Sequence, residues 1–268
     1  GNSCDLSMPD VALFLANDPE TKVIASYLEG MKNATRFVER MRSVTRRKAM
    51  IVMKVGRTSA GARAAKSHTG ALAGSDAIFT GACRQARILR AVDVEQMIDY
   101  VLAFLQEATS SGPRIGIVTD AGGPGVAAAD TCEENCLQIP ETSIDARREL
   151  EKILPRFASL ANPVDMTATL DSGLYERCIT VLMDDEQIDG VLVTITGHVK
   201  VQKELAEAIS RVSQGRRHKP LLVSWTAGND IDDARNILLQ SGVPVYLTPE
   251  RAARAMAALV WYRTRSLL

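Results

Sequence analysis

The sequence has 268 residues, of which 46% are hydrophobic, 24% are charged and 4% are aromatic. This composition is typical of a globular protein, and a core so poor in aromatic residues favours packed α/β layers over an aromatic-rich sandwich. Lys plus Arg and Asp plus Glu both number 32, and the basic runs are short, which argues against a nucleic-acid-binding surface. Apolar stretches are too short to span a membrane, and the first residues lack the pattern of a signal or transit peptide.

Cysteine usage gives no indication of a disulfide framework or a metal centre. The five cysteines are odd in number and scattered along the chain, and a zinc site would need more ligands than the closest pair supplies. Reduced thiols are typical of a cytoplasmic protein, which is the location we expect. The cysteines are Cys4, Cys83, Cys132, Cys136 and Cys178.

Strand-like and helical segments alternate through the first part of the chain. The segment 56–74 between them is rich in Gly and other small residues. Because such a segment buries little surface, we predict that it is mobile or tightly turned. The predicted elements are a helix at 9–16, a strand at 23–28, a helix at 34–47, a strand at 50–55, a helix at 75–86, a strand at 88–91 and a helix at 94–105.

A linker rich in Ser, Thr, Gly and Pro covers residues 107–113, and the alternation then restarts. Buried strands that alternate with helices predict parallel sheets with helices on both faces. We therefore predict two open-sheet α/β domains, at 1–108 and 112–268. The first has only three predicted strands and is expected to be incomplete at its start. The later elements are strands at 114–119, 190–196, 220–225 and 243–247, and a final helix at 249–261.

Candidate functional residues follow the carboxyl ends of these strands, where ligands gather in open α/β sheets. Glu29 follows the strand at 23–28, and Gly56–Ser59 follows the strand at 50–55. In the second domain, a glycine-rich turn follows the strand at 114–119 and Gly197-His198 follows the strand at 190–196. We assign no role to His198.

His68 stands in a run of Gly, Ala and Ser, where a histidine is a poor core residue. Imidazole can be neutral near pH 7, so the residue is a candidate nucleophile or general base. A histidine on a surface loop is the competing interpretation. Glu29 is a candidate partner that would orient one ring nitrogen, and a solvated glutamate at a strand end is the alternative.

The turn that contains Gly122, Gly123 and Gly125 would let backbone N–H groups approach a phosphate at a helix start. It lacks the Gly-Lys-Ser/Thr of a Walker motif. A tight strand-to-helix turn without a ligand is equally consistent with the sequence. Asn162–Asp165 is interpreted as a structural turn fixed by proline.

Taken in order, these segments resemble the NDP-forming acyl-CoA synthetases, the relatives of succinyl-CoA synthetase. The resemblance covers nearly the whole chain, and the run around His68 is its most specific part. The matching runs are Asn17–Ile24, Tyr27–Gly30, Lys54–Arg57, Gly61–Ala65, Ser67–Gly74, Thr119–Gly125 with Asp130, and Asn162–Asp165.

The resemblance implies two flavodoxin-like, or Rossmann-like, domains and a ligase chemistry. In the family, acyl-CoA, NDP and phosphate are interconverted with an organic acid, CoA and NTP through an acyl phosphate and a phosphohistidine. The residue that carries the phosphoryl group would be His68, held by Glu29. Gly70, Gly122, Gly123 and Gly125 would contact the phosphate.

The same resemblance implies partners, because the family's CoA-binding and ATP-grasp domains are absent from this sequence. CoA, ATP or ADP and Mg²⁺ would be substrates held largely by those domains, with no cofactor bound tightly here and no resident metal. The chain alone is not expected to complete the reaction, and a homo-oligomer is a further expectation. Two other functions fit the residues: a regulatory ligand-binding module of a protein acetyltransferase, and a non-catalytic anion-binding α/β pair.

Overall fold

The computed structural model describes residues 5–31, 33–69, 74–106, 108, 110–167, 171–197, 201–216, 218–228 and 231–264. The chain divides into two compact units, an N-terminal unit that ends at Leu105 and a C-terminal unit that spans Gln106–Thr264. No described helix is both long enough and apolar enough to cross a lipid bilayer.

The N-terminal unit is a three-stranded parallel sheet in the order β1-β2-β3. The strands are β1 (Val23–Leu28), β2 (Ala49–Lys54) and β3 (Leu89–Ala91), and the helices are α1 (Met8–Asn17), α2 (Ala34–Thr45), α3 (Ser59–Thr69), α4 (Asp76–Gln85) and α5 (Val94–Leu105).

Helices cover both faces of this sheet. Met50 and Val52 of β2 belong to a core formed with α1, α2 and α4. The alternate positions Ile51 and Met53 are also buried, and α5 packs against all three strands. Since successive side chains of a strand point to opposite faces, β2 is covered on both sides, which explains why its sequence is apolar without alternation.

Helix α3 corrects the prediction of an irregular segment at 56–74. The chain leaves β2 through Gly56, whose φ of +69° lies in the left-handed region that favours glycine, and becomes helical from Ser59 to Thr69. Alanine is the strongest helix former and recurs four times in this helix. The side chains of this helix whose burial is described form no buried apolar stripe, so hydrophobic periodicity does not predict the helix.

The C-terminal unit is a five-stranded parallel sheet in the order β5-β4-β6-β7-β8. Its strands are β4 (Ile115–Thr119), β5 (Val164–Asp165), β6 (Gly190–Thr196), β7 (Leu221–Thr226) and β8 (Val245–Tyr246). Its helices are α6 (Gly122–Glu134), α7 (Ile144–Ile153), α8 (Ser172–Asp184), α9 (Gln202–Gly215), α10 (Asp232–Gln240) and α11 (Pro249–Thr264).

Numbered within the unit, this strand order is 2-1-3-4-5, the flavodoxin-like arrangement. One large core joins the sheet to α7, α8, α9 and α10, whereas α6 and α11 pack together and against the strands. Both units are therefore parallel-sheet α/β domains, which confirms the predicted fold class. The strand order also places a switch point between β4 and β6, where consecutive connections leave in opposite directions.

Strand β5 was not predicted, because Asn162–Asp165 was interpreted only as a turn. The turn exists, and the Asn162-Pro163 peptide bond is cis. The Asn162 amide accepts a hydrogen bond from the Ile117 N–H at 2.9 Å and donates to the Ile115 carbonyl at 2.8 Å. These bonds hold the turn against β4, so that the next two residues pair with Val118 and Thr119.

Candidate functional site

Glu29 and the segment that carries His68 leave neighbouring strands at one edge of the N-terminal sheet. β1 and β2 are parallel and paired from Val23 and Ala49 to Leu28 and Lys54. The Val55 N–H donates to the Leu28 carbonyl at 2.9 Å, which ties the two carboxyl ends together. Glu29 follows directly and is half-buried. The two predicted residues therefore belong to adjacent connections of the sheet.

His68 lies in the last turn of α3. The predicted phosphate contact Gly70 lies outside the described residues, and so does His198. The helix gives the His68 segment a fixed internal geometry, in contrast to the flexible loop expected from its composition.

Lys54 is the final residue of β2, and its side chain is buried with only 2% of its surface exposed. Its ammonium donates to the carbonyl oxygens of Val55 at 3.2 Å and Gly56 at 3.5 Å. Burial lowers the pKa of Lys54, while the nearby carboxylate of Asp76 favours the charged form. In the sequence, Lys54 belongs to the run Lys54–Arg57 that resembles the family, and no role was predicted for it. The signal it missed was a cation at the end of an entirely apolar strand.

A second cation, Arg90 of β3, lies near Lys54 and pairs with the first residue of α4. Arg90 forms an ion pair with Asp76 through Nη2 and Oδ1 at 2.5 Å, and its hydrogen bond lowers the pKa of Asp76. The Phe79 ring is buried beside both cations, with Lys54 Nζ 5.9 Å and Arg90 Cζ 5.4 Å from its centroid. Cations at such distances from a ring face are attracted by its quadrupole. We call Lys54, Asp76, Phe79 and Arg90 the β2-edge cluster.

The switch point of the C-terminal unit is closed by the carboxylate of Asp120. This residue follows β4 and accepts hydrogen bonds from the N–H of Thr196 at 2.9 Å and from its hydroxyl at 3.2 Å. One layer deeper, the Thr194 hydroxyl donates to the Thr119 hydroxyl oxygen at 2.7 Å. These contacts join the carboxyl ends of β4 and β6 where ligands bind in flavodoxin-like sheets.

Asp120 is itself buried, with 3% of its surface exposed. Burial raises its pKa, and the two hydrogen bonds from Thr196 only partly oppose that effect. The fully buried Tyr175 of α8 lies beside it, and burial together with the Asp120 charge raises the pKa of the Tyr175 hydroxyl. Sequence reasoning found Asp120 within the glycine-rich turn but missed Thr196 and Tyr175, which are distant in the chain.

The three glycines after Asp120 have different environments at the start of α6. Gly122 and Gly123 are exposed, and α6 has no side-chain cap, so their N–H groups belong to the first turn that lacks partners within the helix. The Asp165 carboxylate lies near Gly122, where an added Cβ would be 3.4 Å from Oδ2, whereas Gly123 faces open space. Gly123 is therefore the more accessible donor for an anion.

Gly125 does not match its predicted role as a phosphate contact. It is buried, and its N–H donates to the Ala121 carbonyl at 3.3 Å. A Cβ at this position would be only 2.9 Å from Thr119 Cγ2. Gly125 therefore allows α6 to approach β4 closely.

Family models match both units. The N-terminal match is a succinyl-CoA ligase like flavodoxin domain at residues 1–104, and the C-terminal match is a ligase-CoA domain at residues 115–268. The chain belongs to the NDP-forming acyl-CoA synthetase family. This membership confirms the resemblance drawn from the run around His68 and the glycine-rich turn.

Relatives within the family act on different acids. The alpha subunit of the ADP-forming acetate–CoA ligase II of Pyrococcus furiosus is 38% identical over 97% of this chain, which covers 58% of that relative. An ADP-forming 4-hydroxybutyrate–CoA ligase of Nitrosopumilus maritimus is 32% identical over 97% of this chain, which covers 37% of it. The chain thus spans about half the length, or less, of the curated relatives it matches.

Solved structures of similar chains have the same fold. A dinucleotide-forming acetyl-coenzyme A synthetase 1 of Ca. Korarchaeum cryptofilum, in complex with phosphate and ADP, superposes with a TM-score of 0.90 at 34% identity. The match covers 97% of this chain and 57% of that one. A Pyrococcus horikoshii protein gives a TM-score of 0.87 at 30% identity, covering 98% of this chain and 57% of that one.

Proposed function

We propose that this chain is the phosphoryl-carrying part of an NDP-forming acyl-CoA synthetase, with His68 as the carrier. The observation that supports this most directly is the membership of both units in the ligase family, combined with the position of Glu29 and α3 after adjacent strands. An imidazole in such a place can act as a nucleophile when a carboxylate orients its second nitrogen. We propose that Glu29 is that carboxylate.

The reaction would proceed in three transfers. Phosphate attacks the thioester of acyl-CoA, which releases CoA and forms an acyl phosphate. The His68 ring nitrogen attacks phosphorus, the bond to the acyl oxygen breaks, and the organic acid leaves. The NDP terminal oxygen then attacks the phosphohistidine, which restores the neutral imidazole and yields NTP.

Each phosphoryl transfer depends on positioning and on stabilisation of charge. We propose that the Gly122 and Gly123 N–H groups at the start of α6 bind a phosphate group, because helix N-termini favour anions. We do not include Gly125 in this role, because it is buried and its N–H donates to the Ala121 carbonyl. The competing carboxylate of Asp165 makes Gly123 the stronger donor in this proposal.

Other parts of the reaction would be supplied by partners. The described residues contain no group of three His, Cys, Asp or Glu side chains placed to hold a metal ion. We propose that an ATP-grasp domain or subunit holds the nucleotide, with Mg²⁺ neutralising its phosphates, and that a separate domain binds CoA. A cytoplasmic location, where these substrates occur, belongs to the same proposal.

The experiment is a phosphorylation assay on the full-length protein that contains this chain, together with its nucleotide-binding partner if that is a separate subunit. With Mg-ATP, we expect a phosphate that is labile in acid and stable in base, as phosphoramidates are. His68→Ala should remove the label, and Glu29→Gln should reduce its rate of formation at least tenfold, since orientation of a catalytic base or nucleophile is worth about 10²-fold.

His218 provides the matched control, because it is an exposed histidine of the other unit. His218→Ala should be labelled like the wild type. Equal labelling of the wild type and His68→Ala, or failure of the assembled wild type to be labelled, would disprove the proposal.

A further inference from the structure

The carboxyl edge of the N-terminal sheet contains a buried cation that the proposed chemistry does not use. We propose that Lys54 is a positioning residue for the phosphoryl-carrying segment: its ammonium fixes the connection by which α3 leaves β2. This inference rests on the proposed function of His68 and adds a residue to it.

The first argument is the connection itself. Lys54 Nζ binds the carbonyl oxygens of Val55 and Gly56, the two residues that immediately follow β2. Gly56 adopts a φ of +69°, where the chain changes direction toward α3. An ammonium that binds both carbonyls selects one orientation of these peptide groups. The direction in which α3 leaves the sheet is therefore coupled to the position of one buried charge.

The second argument concerns the other end of the same segment. Asp76 is the first residue of α4, and its carboxylate supports the charge of Lys54 while it pairs with Arg90. The chain between Lys54 and Asp76 contains all of α3 and therefore His68. Both ends of the segment thus converge on the β2-edge cluster, while the His68 helix lies between them.

The third argument is energetic. Lysine is rarely buried without a full ionic partner, and at Lys54 the polar contacts are two backbone carbonyls. The direction of its pKa shift indicates that burial disfavours its charge. Removing one member of a buried ion pair is destabilising when its partner is left uncompensated, but Asp76 keeps its ion pair with Arg90 when Lys54 is replaced by an apolar side chain. The fold alone would thus not require a lysine here, whereas a segment that must present a phosphorylated residue would.

The test compares Lys54→Met with Lys54→Arg in the full-length protein and its nucleotide-binding partner. The methionine keeps the volume of the stem and removes the charge, while the arginine keeps the charge. We expect Lys54→Met to slow phosphorylation of His68 by Mg-ATP at least tenfold with an unchanged KM for the nucleotide, which binds elsewhere in the proposal. Lys54→Arg should restore part of the rate.

Hydrogen exchange supplies a readout that does not depend on activity. In Lys54→Met, amides from Val55 to Thr69 should exchange at least tenfold faster, because the connection loses its anchor, while those of β4 and β6 should not change. The midpoint of urea unfolding should equal or exceed that of the wild type. A general loss of protection across both units would identify a structural role and overturn the proposal.

Lys48 gives the matched control, since it precedes β2 at the opposite edge of the sheet. Lys48→Met should leave labelling and exchange of α3 unchanged. Wild-type labelling of His68 with an equal rate in Lys54→Met would refute the role of Lys54 and leave the proposed function intact. An unlabelled wild type would refute the proposed function itself. If neither Lys54→Met nor Lys54→Gln folds, the lysine is a folding requirement and the inference is wrong.

Discussion

The carboxyl edges of the two sheets are built by opposite means. In the C-terminal unit, the carboxylate of Asp120 is bound by the backbone and side chain of Thr196, and neutral hydroxyl bonds lie beneath it. In the N-terminal unit, a buried ammonium and a guanidinium lie over the ring of Phe79, and the guanidinium pairs with the carboxylate of Asp76. The same kind of sheet edge thus contains a carboxylate hydrogen-bonded to the neighbouring strand in one unit and a cluster of cations with an ion-paired carboxylate in the other.

This difference indicates which substitutions should change stability and which should change phosphorylation. Hydrogen bonds that join strands contribute to folding, and their loss leaves buried groups without partners. A buried cation such as Lys54, whose hydrogen bonds join no strands, is better explained by a functional role. Substitutions at the C-terminal edge should therefore change stability, whereas those at the β2-edge cluster should change phosphorylation. The predictions below run from the largest expected effect on stability to the smallest.

Asn162→Ala should be the most destabilising change at the C-terminal edge. The Asn162 amide accepts a hydrogen bond from the Ile117 N–H of β4. It donates hydrogen bonds to the carbonyl oxygens of Ile115 and Pro140. Leaving such buried groups without partners costs about 1–3 kcal/mol each, so we expect a loss of at least about 3 kcal/mol in urea unfolding. Asn236→Ala, on the exposed face of α10, should change stability by less than about 0.5 kcal/mol. Equal losses of stability in Asn162→Ala and Asn236→Ala would contradict the stabilising role of hydrogen bonds at the C-terminal edge.

Gly125→Ala should destabilise by about 1–3 kcal/mol, the usual cost of overpacking. Its Cβ would be 2.9 Å from Thr119 Cγ2, so α6 and β4 would have to separate. Gly123→Ala is the control in the same turn, because no atom lies within 4 Å of its added Cβ. We expect the control to be neutral or slightly stabilising in thermal unfolding. A destabilised Gly123→Ala would contradict the different environments of the two glycines.

Asp120→Asn should reveal a pH dependence of stability. Burial raises the pKa of Asp120, so the folded state binds its proton more tightly than the unfolded state does. The resulting stabilisation is present at acid pH and is lost as the pH rises through the folded pKa. Relative to Asp120→Asn, the wild type should therefore lose stability as the pH rises above the ordinary aspartate pKa of about 4. Denaturation of both proteins at a series of such pH values would show it, and a constant difference would contradict it.

Asp76→Asn should give the smallest change, and its sign should be opposite. The hydrogen bond and charge of Arg90 lower the pKa of Asp76, so its contribution is present above the usual aspartate pKa and is lost as the pH falls through the lowered value. Relative to Asp76→Asn, the wild type should lose stability only on acidification. If the stability contributions of Asp120 and Asp76 changed with pH in the same direction, the predicted electrostatic difference between the two sheet edges would be wrong.

Much of this fold follows from sequence pattern, and the exceptions have physical causes. β1, β2 and β6 were predicted within one residue because continuous apolar runs between turn residues are typical of parallel strands. Helix α3 was missed because its described side chains form no buried apolar stripe, and helix propensity alone does not distinguish it from a loop. Strand β5 was missed because two residues after a proline carry no periodicity.

The candidate site was predictable only in part. The positions of Glu29 and His68 after neighbouring strands follow from the order of elements, but their roles came from family resemblance and stay predictions. The burial of Lys54 was not predicted, because lysines at strand ends are usually exposed, although the apolar residues before it were an available signal. The pairing of Asp120 with Thr196 depends on β4 and β6 being neighbours, which only the strand order reveals.

The central claim is that His68 carries a phosphoryl group. The most direct measurement is peptide mapping of the assembled, full-length protein after brief exposure to Mg-ATP, kept at alkaline pH so that phosphohistidine survives. Trypsin should release the peptide Ser67–Arg84, in which His68 is the only histidine. The account predicts one phosphoryl group on this peptide, discharged by added NDP. A phosphoryl group found on another peptide, or one that NDP does not discharge, would contradict it.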